Sequence, residues 1–287
     1  TRISVQERLK DLRVERGLNL EELAQKTALL KHKPHLAVVL VGNDEASLIY
    51  DRNKQRAAQE IGMECVIHHL PEDISQKELT ALIDELNAAK KVNGIIVQMP
   101  LPAHLNAEEV LRHIVPEKDV DGFGVYNAGL LMTNSPEAII AATPKGILRM
   151  LKSVYTDLSG KYAVIIGRSN IVGRPLAALL LNNNCTVTVV HSKSENIEEL
   201  TRCADIVIAA CGKARLVKKE WLKPGAVVID VGINRVNGKL AGDVDFDDVL
   251  GTAGYITPVP GGVGPMTVAM LLDNTLEAYI RQNKEVL

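Results

Sequence analysis

The fold is decided by one stretch in the second half of the chain, Tyr162-Ala163-Val164-Ile165-Ile166-Gly167-Arg168-Ser169-Asn170-Ile171-Val172-Gly173-Arg174-Pro175. Its first five residues predict a buried strand, and the apolar run at 176–181 predicts a helix. Between them, a glycine-rich turn allows the backbone to approach a pyrophosphate, and the start of a helix favours negative charge. The same turn is also typical of a plain strand-to-helix connection, but the order strand, glycine turn, helix indicates a dinucleotide site.

On both sides of this stretch, apolar strand-like runs alternate with helix-period segments through most of the chain, which is typical of parallel sheets covered by helices. A length of 287 residues with 46% apolar content is enough for two domains. We therefore predict an α/β fold with an N-terminal parallel-sheet α/β domain at 1–142 and a C-terminal Rossmann-like domain at 143–265. The last helix, 266–287, is expected to rejoin the first domain. The predicted strands are 36–42, 65–67, 95–98, 162–166, 186–190, 206–209 and 226–230, and the predicted helices are 45–61, 76–88, 107–113, 176–181 and 266–283.

Two local signals refine this prediction. Thr143 is expected to cap a helix that begins with Pro144, because threonine accepts from the first helical amides and proline suits the first position. Asn237-Gly238 lies between short extended segments and predicts a tight hairpin turn.

Charge and composition exclude several classes of protein. A net charge of −2 and an isoelectric point near 6.4 argue against nucleic acid or an anionic membrane as the main partner. No apolar stretch approaches the roughly 20 residues that cross a bilayer, and the first residues lack a signal-peptide core, so a cytoplasmic protein is expected. The four cysteines show no metal-ligand spacing, and Cys203 and Cys211, which bracket a strand-like run, are expected to be buried. We expect neither a disulfide nor a bound metal.

Four polar groups in the first half of the chain are expected to meet. Tyr50 and Lys54 are four residues apart in a predicted helix, so the phenol and the amine share a face. Gln98 closes the apolar run 94–97, and Asp121 follows a further break, so an amide and a carboxylate can join them at one sheet edge. Each residue alone is equally typical of a helix surface, a strand end or a turn, and only their joint order indicates a site.

The motifs resemble those of the methylenetetrahydrofolate dehydrogenase/cyclohydrolase family. The resemblance implies an enzyme of one-carbon folate metabolism that oxidises 5,10-methylenetetrahydrofolate with NADP and hydrolyses the methenyl product to 10-formyltetrahydrofolate. It implies that Lys54 transfers protons while Gln98 holds it, that Tyr50 orders the substrate ring, and that Asp121 accepts hydrogen bonds from the pterin. It rests on Tyr50-x-x-x-Lys54, Val97-Gln98-Met99-Pro100-Leu101-Pro102, Asp119-Val120-Asp121-Gly122, the Gly-x-Ser-x-x-x-Gly-x-Pro form of 167–175, and Pro258-Val259-Pro260-Gly261-Gly262-Val263-Gly264-Pro265-Met266-Thr267. The substrate-binding positions that it implies are Tyr50, Lys54, Gln98, Asp121, Pro260, Gly261, Gly262 and Val263.

The type of dinucleotide is indicated by the end of the strand that follows the glycine turn. An NAD site usually has a carboxylate there, whereas this chain has Val190-His191-Ser192-Lys193-Ser194. Arg168 and Ser192 offer a cation and a hydroxyl to a 2′-phosphate, and Lys193 either adds a charge or is a solvated loop residue, so NADP is predicted. The resemblance implies these cofactor-binding positions: Gly167, Arg168, Ser169, Val172, Gly173, Pro175, Ser192 and Ile233. It also implies a homodimer formed through an arm that includes the Asn237-Gly238 hairpin.

Two alternatives remain open. A dehydrogenase with a weakened or lost cyclohydrolase step would differ from the bifunctional enzyme in the balance of activities, and Asp51 and Gly124, which depart from the family pattern, bear on that balance. Residues 9–27 resemble the first two helices of a helix-turn-helix, which favours either a DNA-binding regulator or a helical cap on the first domain. The chain continues directly into the strand at Leu36 without a third packing helix, and this favours the cap.

Overall fold

The computed structural model describes residues 20–283 as two compact units. One unit is Thr143–Thr267, and the other, within the described residues, comprises 20–142 together with 268–283. The helix-turn-helix hypothesis falls largely outside the described residues, although residues 20–28 are helical. No helix in the described part of the chain is both long enough and apolar enough to cross a membrane.

The unit that contains residues 20–142 has a three-stranded parallel sheet in the order β2 (Glu64–Leu70), β1 (His35–Val41), β3 (Gly94–Val97). All seven residues of β1 are buried, as expected for a central parallel strand covered on both faces. Helix α2 begins with a capping box in which Ser75 and Glu78 satisfy each other's backbone amides. The elements are β1 (His35–Val41), α1 (Glu45–Glu60), β2 (Glu64–Leu70), α2 (Gln76–Ala88), β3 (Gly94–Val97), α3 (Ala107–His113) and α4 (Val125–Met132).

The Thr143–Thr267 unit has a five-stranded parallel sheet in the order β10-β7-β6-β4-β5. When only the five strands of this sheet are numbered in chain order, and the sheet is read from the β5 edge, the strand order is 2-1-3-4-5. This is a doubly wound arrangement whose switch point lies beside its first strand, β4. The elements are α5 (Ala142–Val154), β4 (Tyr162–Ile166), α6 (Gly173–Asn182), β5 (Thr186–Val190), α7 (Ile197–Arg202), β6 (Ile206–Ala209), β7 (Val227–Asp230), β8 (Asn234–Val236), β9 (Lys239–Ala241), α8 (Phe246–Val249), β10 (Tyr255–Ile256) and α9 (Val263–Asn283), which continues beyond the unit.

The hairpin predicted at Asn237-Gly238 is confirmed. Strands β8 and β9 pair antiparallel, and the two turn residues have φ values of 50° and 77°. A two-residue hairpin turn whose twist matches that of the flanking strands requires positive φ at both central residues.

Two sequence predictions are wrong. Helix α5 begins at Ala142, so Thr143 lies inside it and bonds Thr267 at 2.9 Å between the two hydroxyl oxygens instead of capping the helix. Pro144 is accommodated because the first-turn amides of a helix have no intrahelical acceptor. Cys203 is exposed and Cys211 is half-buried. Both cysteines lie outside β6, on either side of it, whereas all residues of β6 are buried.

The last part of α9 belongs to the unit with residues 20–142. Asn274 is fully buried there, and its side-chain amide donates to the carbonyls of Val120 and Ile140, both at 2.8 Å. A buried amide that satisfies two loop carbonyls ties this helix to the segment that precedes Asp121.

Candidate active site

The phenol of Tyr50 and the amine of Lys54 lie on the same face of helix α1, as their spacing predicts. Asp44 caps the helix by accepting from the amide of Ser47 at 2.8 Å. Lys54 Nζ lies 4.7 Å from the centre of the Tyr50 ring, within the range of a cation–π contact. Only 4% of Lys54 is exposed, so its ammonium needs partners within the protein.

Gln98 supplies one of these partners. Its backbone amide bonds the carbonyl of Val39 at 2.8 Å and so carries the side chain just past the end of β3. Gln98 Oε1 accepts from Lys54 Nζ at 2.7 Å, while Gln98 Nε2 donates to the carbonyl of Met99 at 2.8 Å. Because the donor of the Gln98 amide is fixed by the Met99 carbonyl, its acceptor oxygen has a fixed orientation and holds the amine of Lys54 in one position.

Asp51 supplies the other partner, which sequence reasoning did not assign. Its Oδ1 lies 3.0 Å from Lys54 Nζ, and only 1% of Asp51 is exposed. A spacing of three residues on a helix is a sequence signal for such a pair. Burial raises the pKa of Asp51, and the charge of Lys54 opposes this rise.

Asp121 lies in a loop that another carboxylate, Asp119, organises. The oxygens of Asp119 accept from the backbone amides of Gly122, Phe123 and Gly124 at 3.1, 3.3 and 2.8 Å, and from the side-chain amide of Asn127 at 2.9 Å. An aspartate ahead of a glycine turn is a known signal for this arrangement, and it could have indicated the role of Asp119 from the sequence. Gly124, which departs from the family pattern, suits this loop because a Cβ added at this position would lie 2.7 Å from Asp119 Oδ2.

The electrostatics connect these groups. Burial raises the pKa of Asp121 to about 7, Lys54 lowers it, and the nearby Asp119 and Asp51 raise it. Burial also raises the pKa of Tyr50, with Asp121 and Asp51 adding to the effect. Tyr50 therefore stays a neutral phenol at physiological pH. The described unit thus brings Tyr50, Lys54, Gln98 and the Asp121 carboxyl into one electrostatically coupled cluster.

The glycine turn after β4 has the close backbone packing that a dinucleotide cradle needs. The Gly167 amide donates to the carbonyl of Val190 at 2.8 Å, which ties the turn to the end of β5. An added Cβ at Gly173 would lie 2.2 Å from the Gly167 carbonyl oxygen, so a side chain there would fill the turn. The turn therefore fits a bound pyrophosphate on steric grounds.

Within this turn, Ser169 has a structural role. Its Oγ accepts from the amides of Val172 and Gly173 at 3.2 and 3.4 Å, and its carbonyl accepts from the amide of Arg174 at 3.0 Å. Ser169 thus satisfies the first amides of α6. Pro175 follows within the first turn of that helix, where its missing N–H costs nothing. The cofactor contacts assigned to these residues stay predictions.

The segment after β5 has the polar, cationic character that the sequence predicts. Arg168, Ser192 and Lys193 are exposed in the same unit. The segment is shaped by a turn in which the amide of Ser194 donates to the carbonyl of His191 at 2.8 Å and Ser194 Oγ accepts from the His191 amide at 3.0 Å. No carboxylate occupies positions 190–194.

The remaining predicted positions lie in the same unit as the glycine turn. Ile233 is 69% exposed beside the β8–β9 hairpin, so its side chain is available to a ligand or a partner. In the loop Pro260-Gly261-Gly262-Val263, an added Cβ at Gly262 would lie 2.5 Å from the Pro258 carbonyl oxygen, whereas the space beside Gly261 is open. The conformation of the loop therefore requires glycine at position 262, whether or not a ligand also does.

A doubly wound sheet with a glycine turn after its first strand, and a separate α/β unit with a buried, doubly held lysine, define a class of protein. The class is that of two-domain α/β enzymes that join a catalytic domain to a dinucleotide-binding domain. Residues 10–121 match the model of the tetrahydrofolate dehydrogenase/cyclohydrolase catalytic domain, and residues 141–283 match that of the NAD(P)-binding domain of the same family. The chain belongs to this family, which confirms the predicted family, fold class and enzyme class.

Individual relatives agree with this assignment. The chain is 58% identical over 250 residues to bifunctional protein FolD 2 of Ectopseudomonas mendocina, covering 86% of this chain and 82% of that protein. It is similar to the crystal structure of the bifunctional FolD enzyme of Campylobacter jejuni, with a TM-score of 0.92, 46% identity, and coverage of 94% of this chain and 98% of that one. A FolD structure from Trypanosoma brucei, complexed with NADP cofactor and inhibitor, has a TM-score of 0.91, 38% identity, and coverage of 95% and 97%.

Proposed function

We propose that this protein oxidises 5,10-methylenetetrahydrofolate with NADP and hydrolyses the resulting 5,10-methenyltetrahydrofolate to 10-formyltetrahydrofolate. The observation that carries the proposal is the buried Lys54 amine, held by Gln98 at 2.7 Å beside the ring of Tyr50. Sequence relatives named as bifunctional proteins support the pairing of the two reactions. The four free thiols suit a reducing compartment, and we propose that the enzyme works in the cytoplasm.

The cluster in the 20–142 unit supplies what the hydrolytic reaction needs. Water adds to the amidinium carbon of the methenyl substrate, and Lys54 takes the proton that the water loses as its oxygen bonds that carbon. The same amine then returns that proton to the pterin nitrogen as the carbon–nitrogen bond of the ring breaks, and the remaining hydroxyl proton passes to solvent as the formyl C=O forms, so that one proton is released overall. Gln98 and Asp51 hold the amine, so the orientation is established before the substrate arrives.

Asp121 and Tyr50 provide recognition. An ionised carboxylate accepts two parallel hydrogen bonds from the guanidine-like edge of a pterin. Since the pKa of Asp121 is raised to about 7, its charged form accumulates only as the pH rises through neutrality unless a bound ligand stabilises it. The neutral Tyr50 phenol offers an aromatic face and a hydroxyl to the substrate ring.

The Thr143–Thr267 unit would hold the NADP, whose nicotinamide accepts a hydride when it is bound. Gly167, Gly173 and the backbone between them suit the pyrophosphate, and Arg168 with Ser192 suits the 2′-phosphate. This chain's contribution to hydride transfer is to position the reactants and not to supply a chemical group.

The choice of cofactor can be tested directly. Because Arg168 offers a guanidinium to a 2′-phosphate and no carboxylate repels it, kcat/KM with NADP should exceed that with NAD by at least about tenfold, or about 1.4 kcal/mol. Arg168→Ala should narrow this gap, whereas Arg202→Ala, which removes another exposed arginine of the same unit, should leave it unchanged.

The measurement is a spectrophotometric assay of methylenetetrahydrofolate oxidation with each dinucleotide, followed by loss of the methenyl product. Equal efficiency with NAD and NADP in the unmodified enzyme would contradict the assignment of Arg168 and Ser192. Oxidation without hydrolysis would favour the monofunctional dehydrogenase. A gel-shift titration at two salt concentrations addresses the DNA-binding alternative, which only tight and sequence-selective binding would revive.

We also propose a homodimer that uses the β8–β9 hairpin. A two-stranded hairpin is poorly stable on its own, and here Ile233, just before the hairpin, and Leu240, on β9, are 69% and 43% exposed. Light scattering at micromolar concentration should give about twice the chain mass of 31.2 kDa. Leu240→Asp should shift the mass towards the monomer, whereas Leu250→Asp, at another exposed leucine of the unit, should not. A mass near that of one chain for the unmodified protein would refute the dimer.

A further inference from the structure

The carboxylate of Asp51 holds an unusual position for a charged group. It lies on helix α1 with 1% of its surface exposed, and its Oδ1 is 3.0 Å from Lys54 Nζ. Its second oxygen, Oδ2, is buried and has no hydrogen-bond partner among the described residues. Buried carboxylate oxygens are nearly always hydrogen-bonded, and removing a charge from water without full compensation is costly. A site that tolerates this cost is a candidate for function.

The geometry around Lys54 Nζ shows what Asp51 contributes. An ammonium has three N–H donors, and two of them are used by Asp51 Oδ1 and Gln98 Oε1. One direction remains for the substrate or for the attacking water. Without Asp51, Gln98 alone would leave the amine free to rotate about its last bonds, so the carboxylate is needed to define that direction.

We propose that Asp51 is a positioning residue for the hydrolytic step, which aims the amine of Lys54 and sets the pH range over which that amine works. The proposal rests on the function proposed above and deepens it. Asp51 contacts Lys54, and its role is exerted through that residue.

The charge of Asp51 has a defined effect on the pH dependence. Its anion favours the ammonium form of Lys54, and the reaction needs the free amine to accept a proton from water. Removing the negative charge should therefore let the reaction run at lower pH.

The other ionisable groups near Asp51 must be distinguished from Lys54 in the pH profile. Tyr50, on the same helix, and Cys65, on β2, both have a raised pKa, that of Cys65 reaching about 11, so both are neutral in the working range. On β2, His69 Nε2 lies 2.8 Å from the carbonyl oxygen of Gly42, and its charge lowers the pKa of Asp51. Asp51 is one of the groups that raise the pKa of Asp121, so that pKa also falls when the charge of Asp51 is removed, and the pH profile of methylenetetrahydrofolate oxidation, which uses Asp121 but not the Lys54 amine, measures this contribution separately.

The test uses two substitutions in the full-length enzyme. Asp51→Asn removes the charge but keeps an oxygen that can accept from Lys54, so the low-pH limb of the hydrolysis profile should move about one unit lower with little loss of the maximal rate. Asp51→Leu removes both the charge and the acceptor, so the same shift should be accompanied by a fall in kcat of roughly tenfold. Glu60→Gln is the matched control, because it removes a carboxylate of the same helix that pairs with Arg56 at 3.2 Å in an exposed position.

Hydrolysis of methenyltetrahydrofolate is followed across the pH range for each variant, with oxidation of methylenetetrahydrofolate and thermal unfolding measured in parallel. A purely structural role for Asp51 would change the melting temperature without moving the pH profile. Superimposable profiles for the unmodified enzyme and folded Asp51→Asn, or an equal shift in Glu60→Gln, would overturn the proposal. An unmodified enzyme that oxidises its substrate but does not hydrolyse the methenyl compound would instead refute the proposed function. If Asp51→Asn does not fold, the profile of Asp51→Leu decides the outcome by the same criterion.

Discussion

Replacing Lys54 with methionine should lower the rate of methenyltetrahydrofolate hydrolysis by about 10²-fold or more, the usual scale for an acid–base group. The substitution keeps most of the stem volume and removes only the amine, whose partners are Asp51 and Gln98. Hydride transfer should be affected less, because it depends on positioning by Tyr50, Asp121 and the dinucleotide-binding unit. The two activities are measured separately, with methenyl and methylene substrates. Gln98→Ala should act in the same direction, since it releases one side of the amine.

Lys118→Met is the matched control for this experiment. Lys118 is also a buried lysine of the same unit, but its amine donates to the backbone carbonyls of Leu86, Asn87 and Ala89 at 3.0, 2.7 and 2.9 Å. Its loss should lower the free energy of unfolding while the hydrolysis rate per folded molecule stays near that of the unmodified enzyme. If Lys54→Met and Gln98→Ala both hydrolysed the substrate at the unmodified rate, the proton transfer would belong to another group.

Gly167→Ala should destabilise the protein by about 3 kcal/mol or more, through strain and overlap together. Gly167 has a φ of 127°, and an added Cβ would lie 2.1 Å from the carbonyl oxygen of Ala210. The backbone of Gly167 and the carbonyl of Ala210 lie at the ends of neighbouring strands, so neither can move without disturbing the sheet. In the protein that remains folded, the turn would be displaced, and KM for NADP should rise while hydrolysis of the methenyl substrate changes little.

Gly160→Ala separates the two causes. Gly160 lies in the same unit with a φ of 74°, but nothing lies within 4 Å of its added Cβ. It should cost only about 1 kcal/mol, the strain of a left-handed residue without any overlap. Thermal and denaturant unfolding of the three proteins gives both values. Similar losses for the two variants would show that the contact with Ala210 contributes nothing to the requirement for glycine.

The class of fold and most strands of the two sheets could be predicted from the amino-acid sequence, whereas the helices Val125–Met132 and Ile197–Arg202 were not predicted. The apolar runs at Tyr162–Ile166, Thr186–Val190 and Ile206–Ala209 are strands with the predicted bounds. Tyr162–Ile166 and Ile206–Ala209 were readable because a parallel strand buried on both faces is a nearly continuous apolar run. Thr186–Val190 is a half-exposed edge strand, and it was readable because all of its residues are β-branched. The hairpin at Asn237-Gly238 was readable for a similar reason, since positive φ at two successive residues strongly limits the residues that can form the turn. The family motifs were sufficient to identify the group of enzymes.

Several features depended on the tertiary structure. The exposure of Cys203 could not be read from the chain, because burial depends on where a strand ends against its neighbours. The role of Asp119 required the loop to fold back so that three successive amides pointed at one side chain. The pKa of Asp121, raised to about 7, arises from surrounding atoms that are distant in sequence.

Asp51 illustrates the division most clearly. The sequence placed a carboxylate three residues before Lys54, and a helix alone makes such a pair possible. On an exposed helix that pair would contribute little, as Arg56 and Glu60 do on the same helix. The packing of β2 and of the loop after β3 against α1 removes the water that would otherwise screen Asp51 from Lys54. Sequence determines which charges are neighbours, but the surrounding fold determines the dielectric medium between them, and with it the strength of their interaction.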